Sequence, residues 1–257
     1  MRQFFLATDP DQLPRPGDQV TLGRDESHHL STVLRGGRDL VIELVDGRGH
    51  RMTGRPCGRD GKTARIEILT LTRDIEEFRE PRLVVACAVV KGKRFEWALE
   101  KAVELGAHEF LPLETDLGVI DPRPGKQDRW RSIMTAALKQ SGRSYLPFLS
   151  EPLPVKDVLA RCSAGPVYFG AAPADGEALR SGAPFWTDIL DEGKEKSPSQ
   201  LTVLIGPEGG WSPAELSLLS RDGTQAISMG PHVLRTETAV LTGLAILQAL
   251  RDRWGSD

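Results

Sequence analysis

The sequence predicts an α/β protein in two parts, a small all-β part over residues 1–75 and a larger part over 76–257 built on a mostly parallel sheet covered by helices. Two observations carry this. Short strand-like runs separated by tight-turn residues fill the first part, the pattern of a small barrel. From about Pro81, apolar runs alternate with helix-spaced segments, the pattern of a parallel sheet with helical crossovers. At 257 residues the chain is long enough for one large core or two smaller ones.

The elements follow in order. Pro14, Pro16 and Gly17 punctuate a strand around Gln19 to Leu22, and Ser27 to Arg35 has room for one short helix. Leu40 to Val45 is a strand closed by Asp46-Gly47, and Asp60-Gly61 precedes the alternating run Thr63 to Leu69; both dipeptides are hairpin signals. Leu83 to Val90 is unbroken and apolar, as in a strand buried on both faces. Residues 94–105 place Phe95, Leu99, Ala102 and Val103 at helical spacing before Gly106, a helix stop. Phe110 to Leu113, Val167 to Phe169 and Leu201 to Ile205 read as strands, and 129–141 and 237–251 as helices. Residues 187–200 are polar and weakly patterned, so a surface loop is expected there.

Composition excludes several classes. The longest clean apolar run is Leu83 to Val90, too short to span a membrane, and Met1 to Leu6 lacks a secretory pattern. Cys57, Cys87 and Cys162 are odd in number and in no metal-ligand spacing, so reduced thiols in the cytoplasm and no metal are expected. The net charge of −3 argues against indiscriminate nucleic-acid binding. It is uneven, however. Residues 48–65 carry Arg48, Arg51, Arg55, Arg59, Lys62 and Arg65 against Asp60 alone. That cluster fits either a phosphate-facing surface or a solvated strand face.

Two loops carry the chemistry. In Ile205-Gly206-Pro207-Glu208-Gly209-Gly210-Trp211-Ser212-Pro213-Ala214-Glu215 a buried strand runs into a glycine-rich turn and then a helix. Ser212 with Glu215 makes a capping box, and Pro213 takes the first helical position. The glycines let a ligand approach backbone groups beyond the carboxyl end of a strand. No Gly-Lys-Ser/Thr and no Gly-x-Gly-x-x-Gly is present, which excludes a phosphate loop and a dinucleotide fingerprint. The second loop, Met229-Gly230-Pro231-His232-Val233-Leu234-Arg235-Thr236, leads into the last helix with Thr236 as its expected cap. Arg235 stands beside that helix N-terminus, either as an anion-site cation or as a capped surface arginine.

These two loops, in this order and at this spacing, resemble the paired motifs of the RsmE-type small-subunit rRNA methyltransferases of the SPOUT superfamily. The likeness spans nearly the whole chain: His28-His29-Leu30 with Val33-Leu34-Arg35, Lys91-Gly92-Lys93-Arg94-Phe95-Glu96, Lys101 to Gly106, and Gln140-Ser141-Gly142-Arg143 with Pro147 match other motifs of the family. The resemblance implies a PUA-like RNA-binding barrel before a trefoil-knotted methyltransferase domain. It also implies a homodimer that uses S-adenosyl-L-methionine to methylate uridine N3 in 16S rRNA, free or in the small subunit. Carried over by position, Leu204, Gly206, Glu208, Gly209, Met229, Gly230, Val233 and Leu234 line the cofactor. Arg235 and Glu208 are the catalytic candidates, with His232 and Glu237 as further proton acceptors. His29, Arg35, Lys91, Lys93 and Arg143 are assigned to RNA, with His28 beside them.

The chain departs from the family pattern in four places. The segment Thr115-Asp116-Leu117-Gly118 lacks an arginine, Lys139 replaces a glutamate, Trp211 a phenylalanine, and His232 an arginine. Two alternatives remain open at this point: a SPOUT enzyme for another rRNA or tRNA position, and a non-catalytic RNA-binding ribosome assembly factor.

Overall fold

The computed structural model describes residues 3–9, 11–33, 40–118, 125–171, 175, 182–191, 198–220 and 223–254. The chain divides into two compact units, Met1–Phe78 with Thr135–Leu146, and Arg79–Met134 with Pro147–Asp257. The first unit therefore takes in a second segment that no local pattern at its own end announces.

In the first unit, β1 (Gln3–Phe5), β2 (Gln19–Thr21), β3 (Ile42–Val45), β4 (His50–Asp60) and β5 (Thr63–Arg73) form one sheet in the order β1-β3-β4-β5-β2. Helix α1 (Arg24–Val33) accompanies it. The β1–β3 pair is parallel and the other three are antiparallel. Phe4, Leu22, Leu30, Leu44, Met52, Ile66 and Ile68 form its core. The β4–β5 hairpin turns at Gly61, whose φ of +56° suits glycine. Strand β4 was not legible because Gly54, Pro56 and Gly58 are poor strand formers. They are accommodated at irregularities between Thr53 and Gly54 and between Pro56 and Gly58. At Gly54 a Cβ would lie 2.5 Å from Cγ2 of Ile66 and 3.0 Å from the carbonyl oxygen of Glu67. Gly54→Ala is thus expected to lower the stability of this unit by about 1–3 kcal/mol, read by urea unfolding.

The returning segment is fixed by charge. Arg143 donates to Glu77 through Nη2 at 2.6 Å and Nε at 3.1 Å, and the N–H groups of Ser144 and Tyr145 donate to the same carboxylate. Arg51 donates to Asp74 at 2.7 Å, Glu43 at 2.9 Å and the Gly142 carbonyl at 2.6 Å. Burial would push the Glu77 carboxyl up, but the Arg143 guanidinium and the two N–H donors hold it below its usual range. Arg143, expected on RNA, has a side chain only 10% exposed and engaged with Glu77. Its role in the structure is to close this unit. Lys139 pairs with Glu26 of α1, which accommodates the departure at that position.

The second unit contains a parallel sheet. In chain order its elements are β6 (Arg82–Ala88), α2 (Lys93–Glu104), β7 (Glu109–Glu114), α3 (Lys126–Ser141), β8 (Phe148–Leu149), β9 (Leu153–Pro154), α4 (Val155–Arg161), β10 (Val167–Gly170), α5 (Trp186–Asp191), β11 (Gln200–Ile205), α6 (Pro213–Leu219), β12 (Thr224–Ile227) and α7 (Thr236–Trp254). The first residues of α3 belong here and its last ones to the first unit. The sheet order is β12-β10-β11-β6-β7-β8, with β9 also on β7, and every pair is parallel. From β6 the chain continues to β7 on one side, and from the adjacent β11 to β12 on the other. The sheet thus has a switch point between β11 and β6, the place where open α/β sheets bind ligands. Both strands are buried, as their unbroken apolar sequences require.

Part of the expected loop at 187–200 is ordered instead. Ile189, 2% exposed, anchors α5, and β11 starts at Gln200; residues 192–197 lie outside the described ones. Among the described residues, no helix is long and apolar enough to cross a membrane.

Candidate active site

The two loops meet. At the carboxyl ends of β10, β11 and β12 a cleft of about 600 Å³ opens between them, lined by Gly170, Gly206, Pro207, Glu208, Trp211, Met229, Gly230, His232, Val233, Leu234 and Thr236 among others.

The first wall is built around Trp211. Its indole N–H donates to the Gly170 carbonyl at 3.2 Å, its backbone N–H to Asp175 at 2.6 Å, and its ring meets Phe169 edge-on. Gly206 lies directly against this ring: a Cβ there would stand 2.9 Å from Cε2. The chain then turns, with the Gly210 N–H donating to the Pro207 carbonyl at 3.0 Å and Gly210 at a φ of +76°. The expected capping box of Ser212 and Glu215 is present, with Pro213 at the start of α6. Glu215 is buried and also accepts from the Asp116 N–H at 3.0 Å, while the Ser212 hydroxyl donates to the Asp116 carboxylate. The loop after β7 is thereby tied to the loop after β11.

The second wall is the segment before α7. Met229 packs at Gly170 and Gly243, and the absence of a side chain at Gly243 lets α7 approach Val203 of β11. The expected cap at Thr236 moves by one residue. The Ala239 N–H donates to the Arg235 carbonyl at 2.8 Å, so Arg235 is the boundary residue and Thr236 the first helical one. Thr236 is 3% exposed, and its hydroxyl has no hydrogen-bond partner among the described residues. An orphaned hydroxyl against a cleft and beside a helix N-terminus suits a polar ligand group.

Six positions expected at the cofactor line this cleft: Gly206, Glu208, Met229, Gly230, Val233 and Leu234. Leu204 does not. It is fully buried in the core with Phe169 and Trp211, because alternate residues of a central strand face the two covered sides of the sheet. Gly209 lines a neighbouring hollow with Lys91, Arg94 and Leu117. Arg235 is exposed at the end of the second wall. Glu208 borders both spaces and is ion-paired with Arg94. Arg94 stands in the sequence motif that opens this unit but was given no role, whereas Lys91 and Lys93 in the same motif were assigned to RNA. Glu237 has one buried carboxylate oxygen without a partner among the described residues. Burial first, and the charge of Glu237 second, push up the thiol of the buried Cys87.

The RNA candidates separate. Lys91 and Lys93 are exposed just before and at the start of α2. In the first unit His29 is exposed against Phe4, with ring centroids 5.5 Å apart. Arg35 lies outside the described residues. Among the described residues no group of three or more His, Cys, Asp or Glu is placed to hold a metal ion.

Residues 78–248 match the model of an RNA methyltransferase domain. The chain is 32% identical over 247 residues to a ribosomal RNA small subunit methyltransferase E of Synechocystis sp., covering 96% of this chain and 78% of that protein. To the protein of the same description in Mycobacterium bovis it is 32% identical over 254 residues, covering 95% and 91%. The crystal structure of a ribosomal RNA small subunit methyltransferase E from Neisseria gonorrhoeae bound to S-adenosyl methionine has a TM-score of 0.81 at 27% identity, covering 97% of this chain and 98% of that one. Likeness over most of the chain and a shared domain agree with the two-loop cleft, and the chain belongs to the RNA methyltransferase family, in its small subunit methyltransferase E branch.

Proposed function

We propose that this protein uses S-adenosylmethionine to methylate N3 of a uridine in 16S rRNA, in the cytoplasm and as a homodimer, on free rRNA or on the small subunit. The observation that carries the reading is the single cleft formed by the two glycine-containing loops, in a chain whose relative is bound to S-adenosyl methionine in its crystal structure. The cleft fits that cofactor. Gly206 and Gly230 offer backbone groups, Met229, Val233 and Leu234 offer apolar surface, and the Thr236 hydroxyl has no partner among the described residues. When bound there, the cofactor supplies a methyl group already activated on a sulfonium, so the protein's task is mainly alignment.

The neutral uracil imide has no free lone pair at N3, so its proton must be removed and the resulting anion stabilised. In this reading Arg235 provides the cation for that anion or for the adjoining phosphate, and the Glu208 carboxylate is assigned the role of proton acceptor. The exposed Arg55, Arg59, Lys62 and Arg65 along the β4–β5 hairpin, with His29, are assigned to the RNA backbone. In this reading the loops after β11 and β12 are the knotted segment of the family.

The test is methyl transfer from labelled cofactor to small subunits lacking the modification, with the product mapped by mass spectrometry. Label is expected in N3-methyluridine, and Arg235→Ala is expected to slow transfer by about 100- to 1,000-fold while cofactor affinity is retained. Label in another nucleoside would move the target to a different position. No transfer and no cofactor binding by folded protein would favour an assembly factor.

A further inference from the structure

A second hollow, of about 610 Å³, adjoins the cofactor cleft and shares Pro207 and Glu208 with it. Lys91 and Arg94 form one of its walls, and Leu117 and Gly118 another. It lies over the carboxyl ends of β7, β6 and β11, and so at the switch point between β6 and β11. The cleft lies over β10, β11 and β12 instead, and the carboxyl edge of one sheet thus carries two adjoining spaces with Glu208 at their junction.

The lining states what the second space suits. Lys91 is exposed, and Arg94 commits one terminal nitrogen to Glu208, which leaves further guanidinium donors for an oxygen ligand. Leu117 is 51% exposed, an apolar face of the size that covers a base. Thr115 to Gly118, the described residues after β7, bring no cation, and the carboxylate among them, Asp116, accepts the Ser212 hydroxyl. Among the described residues that line the hollow, positive charge comes from the α2 side, opposite the apolar face of Leu117. Donors for carbonyl or phosphate oxygens facing an apolar surface match a single unstacked pyrimidine nucleotide. An exposed ion pair such as Arg94–Glu208 contributes only about 0–1 kcal/mol, so its main consequence is to fix Glu208 between the two spaces.

We propose that this hollow is the acceptor subsite, receiving one extruded uracil nucleotide of the RNA with Lys91 and Arg94 on its oxygens and Leu117 against its face. The proposal rests on the methyltransferase reading above. Leu117→Trp, which fills the hollow from an exposed position, and Arg94→Ala, which adds no bulk, are measured as full-length proteins. Calorimetric binding of S-adenosylmethionine without RNA is expected to stay within about twofold, while single-turnover transfer to unmodified small subunits falls by about 100-fold, the scale of a misplaced acceptor. Arg94→Lys is expected to restore part of the rate. Equal losses of cofactor affinity and transfer would make the hollow a part of the cofactor cleft, and unchanged transfer in both variants would remove the subsite. A 4-thiouridine oligoribonucleotide carrying the target sequence provides a readout without turnover: crosslinks should map to residues 90–94 or 115–118, and crosslinks confined elsewhere would overturn the assignment. If the wild-type protein transfers no methyl group, the enzyme reading falls while the crosslink still decides the subsite.

Discussion

Gly206→Ala is expected to weaken S-adenosylmethionine binding by about tenfold or more, because the new methyl group collides with a ring that cannot retreat. The Cβ would stand 2.9 Å from Cε2 and 3.1 Å from Cζ2 of Trp211. That indole is 4% exposed and held at both its ring and backbone nitrogens, so the strain relaxes by moving the glycine loop into the cleft. Trp211→Phe shortens the ring system at the cost of the bond to the Gly170 carbonyl, a loss of about 1 kcal/mol. The double variant should therefore bind better than the two separate losses imply, a coupling that a double-mutant cycle isolates by calorimetry. Strictly additive losses would show that the Gly206–Trp211 contact is not what makes glycine necessary.

Glu77→Ala is expected to be among the most damaging changes in the first unit, at about 3–5 kcal/mol, because it strands the buried Arg143 guanidinium. The Glu77 side chain is 11% exposed and accepts from Arg143, Ser144 and Tyr145. Urea unfolding should show the loss in both Glu77→Ala and Arg143→Ala, and wild-type stability in either would refute the structural role. The same pair sets a pH dependence. For Asp74 as for Glu77, burial opposes ionisation, but hydrogen bonds from Arg51 and Ser144 and the Arg51 charge hold the carboxyl down. Two carboxyls with lowered folded values stabilise the unit above their unfolded values of about 4 and lose that contribution as pH falls through the folded ones. Stability measured from pH 7 down to 3 should drop, and Glu77→Ala should flatten the drop.

What the sequence disclosed follows from how local each feature is. The capping box at Ser212 and Glu215, the Gly61 turn and the apolar runs of β6 and β11 are set by neighbours in the chain, and they are found where the pattern places them. Strand β4 escaped notice because its glycines and proline are tolerated only through β-bulges against β5. Arg143 and Arg51 read as surface cations because their acidic partners are far away in sequence, Glu77 and Asp74 respectively. Leu204 was assigned to the cleft by position within a motif, whereas strand alternation sends its side chain into the core. The hollow beside Glu208 was invisible for a similar reason: Lys91, Leu117 and Gly209 converge only once three neighbouring parallel strands are in register.

The segment that closes the first unit also determines when in synthesis that unit can finish. Gln3 donates to the Arg143 carbonyl, the Leu146 N–H to Gly47, and Arg51 to the Gly142 carbonyl. Domains made first commonly fold first, but here the leading unit is incomplete until residue 146 has left the ribosome. By then β6, α2 and β7 have already been made. A nascent chain cut at residue 78 would leave Glu77 without Arg143 and Arg51 without the Gly142 carbonyl, though still beside Asp74 and Glu43, so the leading unit closes only after residues 142–146 have emerged.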